Sequence, residues 1–288
     1  MDLHKVKEIY QEEKEKLLRN LMPQEKPLAF ILGGQPASGK SKLAKEFIGK
    51  FSNDNILFVN GDIYREFHPN RQELINNPLS YSKETQVFSN VFTENLIREA
   101  IENKYNIMVE GTMRNPQVPY NTAKMFKENG YEVEILAISA PSVFTELGLY
   151  NRYQEEINFQ GWGRLAEIES HNLAVSGILA SLDLLYKEKI ADKIHLYSYQ
   201  AEKHIVSFSL QNNEWDIDDL PSNYIIDARE IQLQRKENIA KLIERGENTL
   251  NQISDNLKPK VNEILEKLKN NSNKNLRVRK KSCYFAKL

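Results

Sequence analysis

Residues 34–41 read Gly34-Gln35-Pro36-Ala37-Ser38-Gly39-Lys40-Ser41 and fit the spacing G-x-x-x-x-G-K-[ST] without a mismatch. Small residues at these positions let the backbone curl until successive N–H groups point at one chain of phosphates. A helix starting at the loop's end adds the positive pole of its dipole. In such a loop Lys40 reaches the β- and γ-phosphates, and the Ser41 hydroxyl binds Mg²⁺. All eight residues are candidates to hold a nucleoside triphosphate. The loop specifies a nucleotide but not a reaction.

Phosphoryl transfer also needs a group that activates the acceptor and charge that holds the transferring phosphoryl. Three further segments supply candidates. Asn60-Gly61-Asp62-Ile63-Tyr64-Arg65 offers Asp62, either as general base toward an incoming hydroxyl or as a helix-capping aspartate. Glu110-Gly111-Thr112-Met113-Arg114 offers Glu110 as a holder of Mg²⁺ through water or as a buried structural carboxylate, with Thr112 and Arg114 as contacts to acceptor or phosphate. Arg152 and Arg164 flank Asn158-Phe159-Gln160-Gly161-Trp162-Gly163 and read as lid arginines or as surface charges.

These segments require a scaffold that brings them to one place. Leu28-Ala29-Phe30-Ile31-Leu32 is a continuous apolar run, as expected of a strand buried on both faces. Similar runs occur at Ile56–Val59, Ile107–Val109 and Val133–Ile138, with helical stretches at Lys42–Phe51, Ser82–Lys104 and Tyr120–Asn129 between them. The alternation predicts an α/β protein with a mainly parallel central sheet flanked by helices; together with the phosphate loop and the candidate base and arginines, the expectation is a P-loop kinase fold. In such a sheet the loop, Asp62 and Glu110 all follow strand C-termini, where ligands bind. Helices are expected near 142–157 and 165–188, and strands at 193–199 and 204–210 as an edge hairpin. Glu214, Asp216, Asp218 and Asp219 read as a solvated turn. Residues 1–26 carry an amphipathic helix, 27–228 the kinase domain, and 229–288 a C-terminal helical extension in which Gly246 and Pro259 weaken or break the helix.

Composition sets outer bounds. A chain of 288 residues with 40% hydrophobic content can bury a sizeable core, and a net charge of −1 offers no global field for nucleic acid. The single cysteine, Cys283, excludes an internal disulfide framework. No apolar run approaches the roughly 20 residues of a membrane span, and the N-terminus has no signal-peptide pattern. The expectation is a soluble cytoplasmic protein.

Taken in order, the motifs resemble the zeta toxin family of bacterial toxin–antitoxin systems. The resemblance runs from about residue 27 to 200. It rests on the loop at 34–40, Asp62 with His68-Pro69-Asn70, Ser89-Asn90 with Thr93-Glu94, Glu110-Gly111-Thr112-x-Arg114, Val118-Pro119, Leu147-Gly148 with Arg152-Tyr153, and Arg164 with His171. The family are P-loop kinases of UDP-N-acetylglucosamine that phosphorylate the 3′-hydroxyl of its sugar. The resemblance implies ATP with Mg²⁺, Asp62 as base, and Lys40, Arg152 and Arg164 on the transferring phosphoryl. It implies Glu94, Thr112 and Arg114 on the UDP-sugar. It further implies an antitoxin, either a separate protein or inhibitory helices on the same chain, for which both terminal helical regions are candidates. Ala37 departs from the family, where glycine is frequent. Two other readings stay open: a P-loop kinase of another small acceptor or a nucleic-acid 5′-hydroxyl, and a nucleotide-binding partner protein without transfer activity.

Overall fold

The computed structural model describes residues 3–273, so the basic run Arg277–Lys281 and Cys283 lie outside the described residues. The chain order is α1 (Leu3–Leu17), β1 (Leu28–Gly33), α2 (Lys40–Ile48), β2 (Leu57–Asn60), α3 (Gly61–Tyr64), α4 (Arg71–Leu74), α5 (Pro78–Glu84), α6 (Gln86–Asn103), β3 (Ile107–Glu110) and α7 (Gln117–Glu128). There follow β4 (Glu132–Ser139), α8 (Ser142–Gln160), α9 (Ile168–Lys187), β5 (Lys193–Ser198), β6 (His204–Gln211), β7 (Glu214–Trp215), α10 (Pro221–Gln232), α11 (Lys236–Gln252) and α12 (Lys258–Asn273).

The strands form one sheet in the order β2-β3-β1-β4-β5-β6-β7. β2, β3, β1, β4 and β5 run parallel, and β6 and β7 close the edge antiparallel. β1 is central because its residues are apolar on both faces. Ala29 and Ile31 enter the core beneath α6, α7 and α9, while Phe30 and Leu32 enter the one beneath α2. Register places the strand ends in one row: Leu32 and Asn60 both pair with Glu110, and Gly33 pairs with Ala137. The phosphate loop, Asp62 and Glu110 therefore leave the sheet along one edge.

The helix expected over 82–104 is broken at Thr85. Its hydroxyl donates to Tyr81 O at 2.6 Å and accepts from Arg65 Nη1 at 2.7 Å, so the chain bends between α5 and α6. The helix expected over 230–270 breaks at 233–235 and at 253–257, not at Gly246. Gly246 lies inside α11, where an added Cβ would come within 2.7 Å of Leu265 Cδ2 and 2.9 Å of Leu147 Cδ2, so the missing side chain lets the helices close. Pro259 falls in the first turn of α12, where its absent N–H has no helical acceptor to lose. The acidic residues at 216 and 219 are engaged: Asp216 accepts from Ser209 N at 2.8 Å, and Asp219 accepts from Asn223 Nδ2 at 2.6 Å.

Both ends pack on helices. Val6 and Tyr10 of α1 are buried, and the Tyr10 ring meets Phe92 of α6 edge-on at 5.3 Å. At about 1.5–3 kcal/mol for each buried side chain, the contact fixes α1 as part of the main core. α11 and α12 form a second core with Phe144, Leu147 and Tyr150 of α8. Leu268→Ala in that core should lower unfolding free energy by about 2–5 kcal/mol, while Phe159→Ala, at a site 91% exposed, should leave it unchanged within about 0.5 kcal/mol. Thermal and urea melts of the two variants check the contrast.

Candidate active site

The loop is held by close backbone approaches, one of which admits only glycine. Gly39 has φ 105°, and a Cβ there would come within 2.5 Å of Gln200 Cα. Gln200 N donates to Ser38 O at 2.9 Å, tying the loop to the β5–β6 connection. Ala37 stands at φ 62°, a left-handed conformation that costs a residue with a Cβ about 1–2 kcal/mol. The cost is met by packing on α8, where a Cβ on Gly148 would come within 2.8 Å of the Ala37 methyl. Among the described residues no acceptor takes the N–H groups of Ala37, Gly39, Lys40 or Ser41. Unpaired amides at the start of a helix suit phosphate oxygens.

Lys40 folds over this cradle. Its Nζ donates to Gly34 O at 2.9 Å and Gln35 O at 3.2 Å and lies 3.8 Å from Glu110 Oε1. Burial pulls its ammonium below the ordinary lysine value, against the opposing attraction of Glu110 and Asp62. Burial likewise raises Glu110, with Lys40 opposing. Asn60 organises the neighbourhood: its Oδ1 accepts from Asp62 N at 2.9 Å and its Nδ2 donates to Glu110 Oε2 at 3.1 Å. Asn60, not Asp62, is therefore the cap of α3.

The Asp62 side chain is free for other work, and two arginines take it. Arg164 grips it in a fork, Nη1 to Oδ1 at 2.6 Å and Nη2 to Oδ2 at 2.5 Å. Arg65 Nε adds a bond to Oδ1 at 3.0 Å. Burial alone would raise Asp62, but the bonds and charges of Arg164 and Arg65 outweigh it and hold the carboxyl well below the usual aspartate range. A depressed carboxyl contributes stability that is complete above its unfolded value near pH ~3.9 and is lost as pH falls further. Asp62 also acts on Lys40, Arg152 and Arg164 as an opposite charge, so the carboxylate faces the loop and the lid together.

Residues 161–167 form the loop between α8 and α9 that carries Arg164, the segment read from the sequence as a lid. Trp162 lies 5.4 Å from the Tyr81 ring, with the Arg71 guanidinium 5.1 Å from its own ring centroid. Arg164 N donates to Glu156 Oε2 at 2.8 Å, and Arg152 Nε stands 3.4 Å from Glu156 Oε1. Burial, then the charge of Arg164, lowers Arg152.

The remaining sequence candidates divide. Ser41 is exposed in the first turn of α2. No group of three acidic, histidine or cysteine ligands exists among the described residues, so a metal here must draw on phosphate oxygens and water besides Ser41. Thr112 is half-buried on a segment pinned between Gly33 and α9: Met113 packs on Gly33, and Ser181 Oγ donates to Met113 O at 2.8 Å. Arg114 is exposed and its Nη1 donates to Ser170 Oγ at 2.8 Å, so it turns toward α9 rather than Asp62. Glu94 is exposed on α6, two turns along the row from Gln86, whose Oε1 accepts from Arg65 Nη2 at 3.1 Å.

Sequence reasoning missed the support behind the loop. The fully buried Gln35 amide donates to Ala140 O at 2.9 Å and Thr145 Oγ1 at 3.1 Å. Thr145 Oγ1 lies 2.8 Å from His171 Nε2, and Gln35 Oε1 accepts from Arg229 Nη2 at 3.4 Å. Burial lowers His171, favouring neutral imidazole, and brings Arg229 down to about 10. Gln35 therefore contributes to the loop through its backbone, while its side chain is an anchor. The only available signal was its position inside a phosphate-loop pattern.

The sheet order, the glycine loop and the cation cluster at the strand ends together define a P-loop kinase fold. The family model for the zeta toxin matches residues 12–214, and the chain belongs to the zeta toxin family. It is 31% identical over 191 residues to toxin zeta of Enterococcus hirae, the match spanning 66% of each chain. It is 30% identical over 205 residues to toxin PezT of Streptococcus pneumoniae serotype 4, spanning 68% of this chain and 77% of that one. A solved chain from the PezAT chromosomal toxin–antitoxin system of Streptococcus pneumoniae superposes with a TM-score of 0.74 at 22% identity, covering 87% of this chain and 98% of that one. A chain of the AvrRxo1-ORF1:ORF2 complex solved with ATP superposes at 0.51 with 16% identity, covering 93% of this chain and 88% of that one.

The contact between Ala37 and Gly148 yields a direct test. Gly148→Ala should weaken ATP binding at least about tenfold by pushing the loop, and Ala37→Gly in the same chain should restore most of it. Calorimetry of the single and double variants measures the coupling, and additive losses would reject the contact.

Proposed function

We propose that this chain is an ATP-dependent kinase that phosphorylates a hydroxyl of a UDP-N-acetylamino sugar, the 3′-hydroxyl of UDP-N-acetylglucosamine, and acts as the toxin of a toxin–antitoxin system. The observation that supports the reaction class is the placing of Asp62, forked by Arg164, and of Lys40, 3.8 Å from Glu110, beside an unpaired amide cradle. Nucleotide binding alone needs no carboxylate base. Family membership supports the acceptor and the toxin role, and the AvrRxo1 neighbour solved with ATP supports the donor.

The chemistry follows from the residues. The loop amides and Lys40 hold the β- and γ-phosphates. The acceptor oxygen attacks the γ-phosphorus in line while its proton passes to Asp62. The bond to the β–γ bridging oxygen breaks, and its electron pair leaves with ADP. Lys40, Arg152 and Arg164 balance the charge on the transferring group. Ser41, with Glu110 through water, would hold Mg²⁺, which neutralises phosphate charge when bound. Glu94, on α6, and Thr112, two residues beyond β3, are the candidates to hold the UDP-sugar. Arg114 would have to leave Ser170 to join them. No helix among the described residues is long and apolar enough to cross a membrane. α1 packs on α6 and α11–α12 on α8, which favours an antitoxin in trans over inhibition by the chain's own ends.

Purified protein incubated with ATP, Mg²⁺ and a panel of hydroxylated acceptors should yield UDP-N-acetylglucosamine heavier by one phosphoryl group in mass spectrometry. Phosphorylation of a different acceptor alone would overturn the substrate, and transfer to none would overturn the kinase reading. Asp62→Asn should leave ATP affinity near that of the parent and lower transfer by at least about a hundredfold.

A further inference from the structure

Arg164 has two partners to serve. In the resting chain it forks onto Asp62, yet stabilising a transferring phosphoryl requires it to turn toward the nucleotide. When it leaves, Asp62 would lose both of its shortest bonds. A carboxylate released in this way is free to rotate or to take up a proton before the acceptor arrives.

Arg65 is built to prevent that. Its side chain is 8% exposed, and every nitrogen of its guanidinium is committed. Nε donates to Asp62 Oδ1 at 3.0 Å, Nη1 to Ser82 O and Thr85 Oγ1 at 2.7 Å each, and Nη2 to Gln86 Oε1 at 3.1 Å. Tyr81 OH donates to Arg65 O at 3.3 Å, fixing its backbone as well. The bend at Thr85 between α5 and α6 exists to receive this fork. Arg65 is therefore held from several elements at once, whereas the Arg164 guanidinium hydrogen-bonds only Asp62 among the described residues. The two oxygens of Asp62 also differ: among the described residues Oδ1 accepts from both arginines, whereas Oδ2 accepts from Arg164 alone.

We propose that Arg65 is the positioning residue of the acceptor base: when Arg164 moves to the phosphoryl group, Arg65 keeps Oδ1 tethered and Asp62 ionised, leaving Oδ2 to take the acceptor's proton. In that step the hydroxyl O–H bond breaks and its proton passes to Oδ2, the new O–P bond forms, and the bond to the β–γ bridging oxygen breaks with its electron pair leaving on ADP. The inference rests on Asp62 being the base. The other charges facing Asp62 are Lys40 from α2, Arg152 from α8 and Glu110 from β3. Lys40 and Arg152 are drawn to phosphate when nucleotide binds, and Glu110 is repulsive, which leaves Arg65 as the cation that stays.

The test is the pH dependence of transfer. In Arg65→Gln the acidic limb of kcat/KM should move up by about one pH unit, a tenfold loss on the limb, with ATP affinity within about twofold of the parent. Arg65→Lys should return the limb to its original position while kcat stays low, because charge is restored and the fork is not. An unmoved limb with a uniformly lowered rate in Arg65→Gln would mean a structural role only and overturn the proposal. A measurement on Arg164→Gln keeps the question answerable should Arg65 variants fail to fold. There the Asp62 carboxyl, followed by ¹³C NMR, should still titrate at or below the free aspartate value of about 3.9; a higher value overturns the proposal. Asp62→Asn separates the two layers. Full transfer in that variant removes the base assignment, while an inactive Asp62→Asn with an unmoved Arg65→Gln limb removes this inference alone.

Discussion

More positive than negative charge has been gathered where the parallel strands end, and the site is organised by that imbalance. Lys40, Arg65, Arg152 and Arg164 share Asp62, Glu110 and Glu156. Withdrawing an ion from water costs several kcal/mol unless it is well paired. Arg65 and Arg164 are well paired, at 3.0 Å and 2.5 Å from Asp62. Lys40, at 3.8 Å from its nearest carboxylate, and Arg152, at 3.4 Å, are not. The underpaired cations adjoin four unpaired loop amides. A polyphosphate satisfies both deficits at once, so the same charge imbalance that costs stability gives affinity.

Such a cluster has to be imposed by the rest of the molecule, since its members repel one another. Register across β2, β3 and β1 sets Asn60 and Glu110 side by side, and Asn60 then orients both Asp62 and Glu110. On the other flank α8 carries Arg152 and touches the loop through Gly148. That helix is clamped by the second core from α11 and α12, by Thr249 Oγ1 donating to Asn151 Oδ1 at 2.7 Å, and by the forked pair of Arg245 with Glu155. The C-terminal extension thus bears on the site through α8 without entering it.

What was legible in the sequence follows from what local pattern encodes. Strands buried on both faces write themselves as apolar runs, so β1, β3 and β4 were readable along with the residues that follow them. The loop was readable because its spacing is set by phosphate geometry. Asp62, Arg152 and Arg164 were readable as candidates, but their mutual contacts were not, since Asp62 and Arg164 are 102 residues apart. Arg65 gave no signal: a buried arginine looks like a surface one until its acceptors at 82, 85 and 86 are known. Gly246 misled for the related reason that a glycine weakens an isolated helix yet permits a tight helix pair, and only the partner's position decides between the two.

The fork between Arg164 and Asp62 also decides how the lid can work. A buried ion pair costs about 3–5 kcal/mol to break from one side, which would keep the lid shut against most ligands. An exposed pair costs about 0–1 kcal/mol. The Asp62 side chain is 50% exposed while that of Arg164 is 16% exposed, so the pair lies between these limits and opens toward solvent on the carboxylate side. A bound γ-phosphate presents more negative charge than one carboxylate and more lone pairs for the same planar fork, which is enough to draw Arg164 across. Trp162, two residues before Arg164, is packed between Tyr81 and Arg71. On the proposed mechanism, nucleotide arrival would free Oδ2 of Asp62 as the phosphoryl group gains its clamp, an arrangement that favours donor before acceptor.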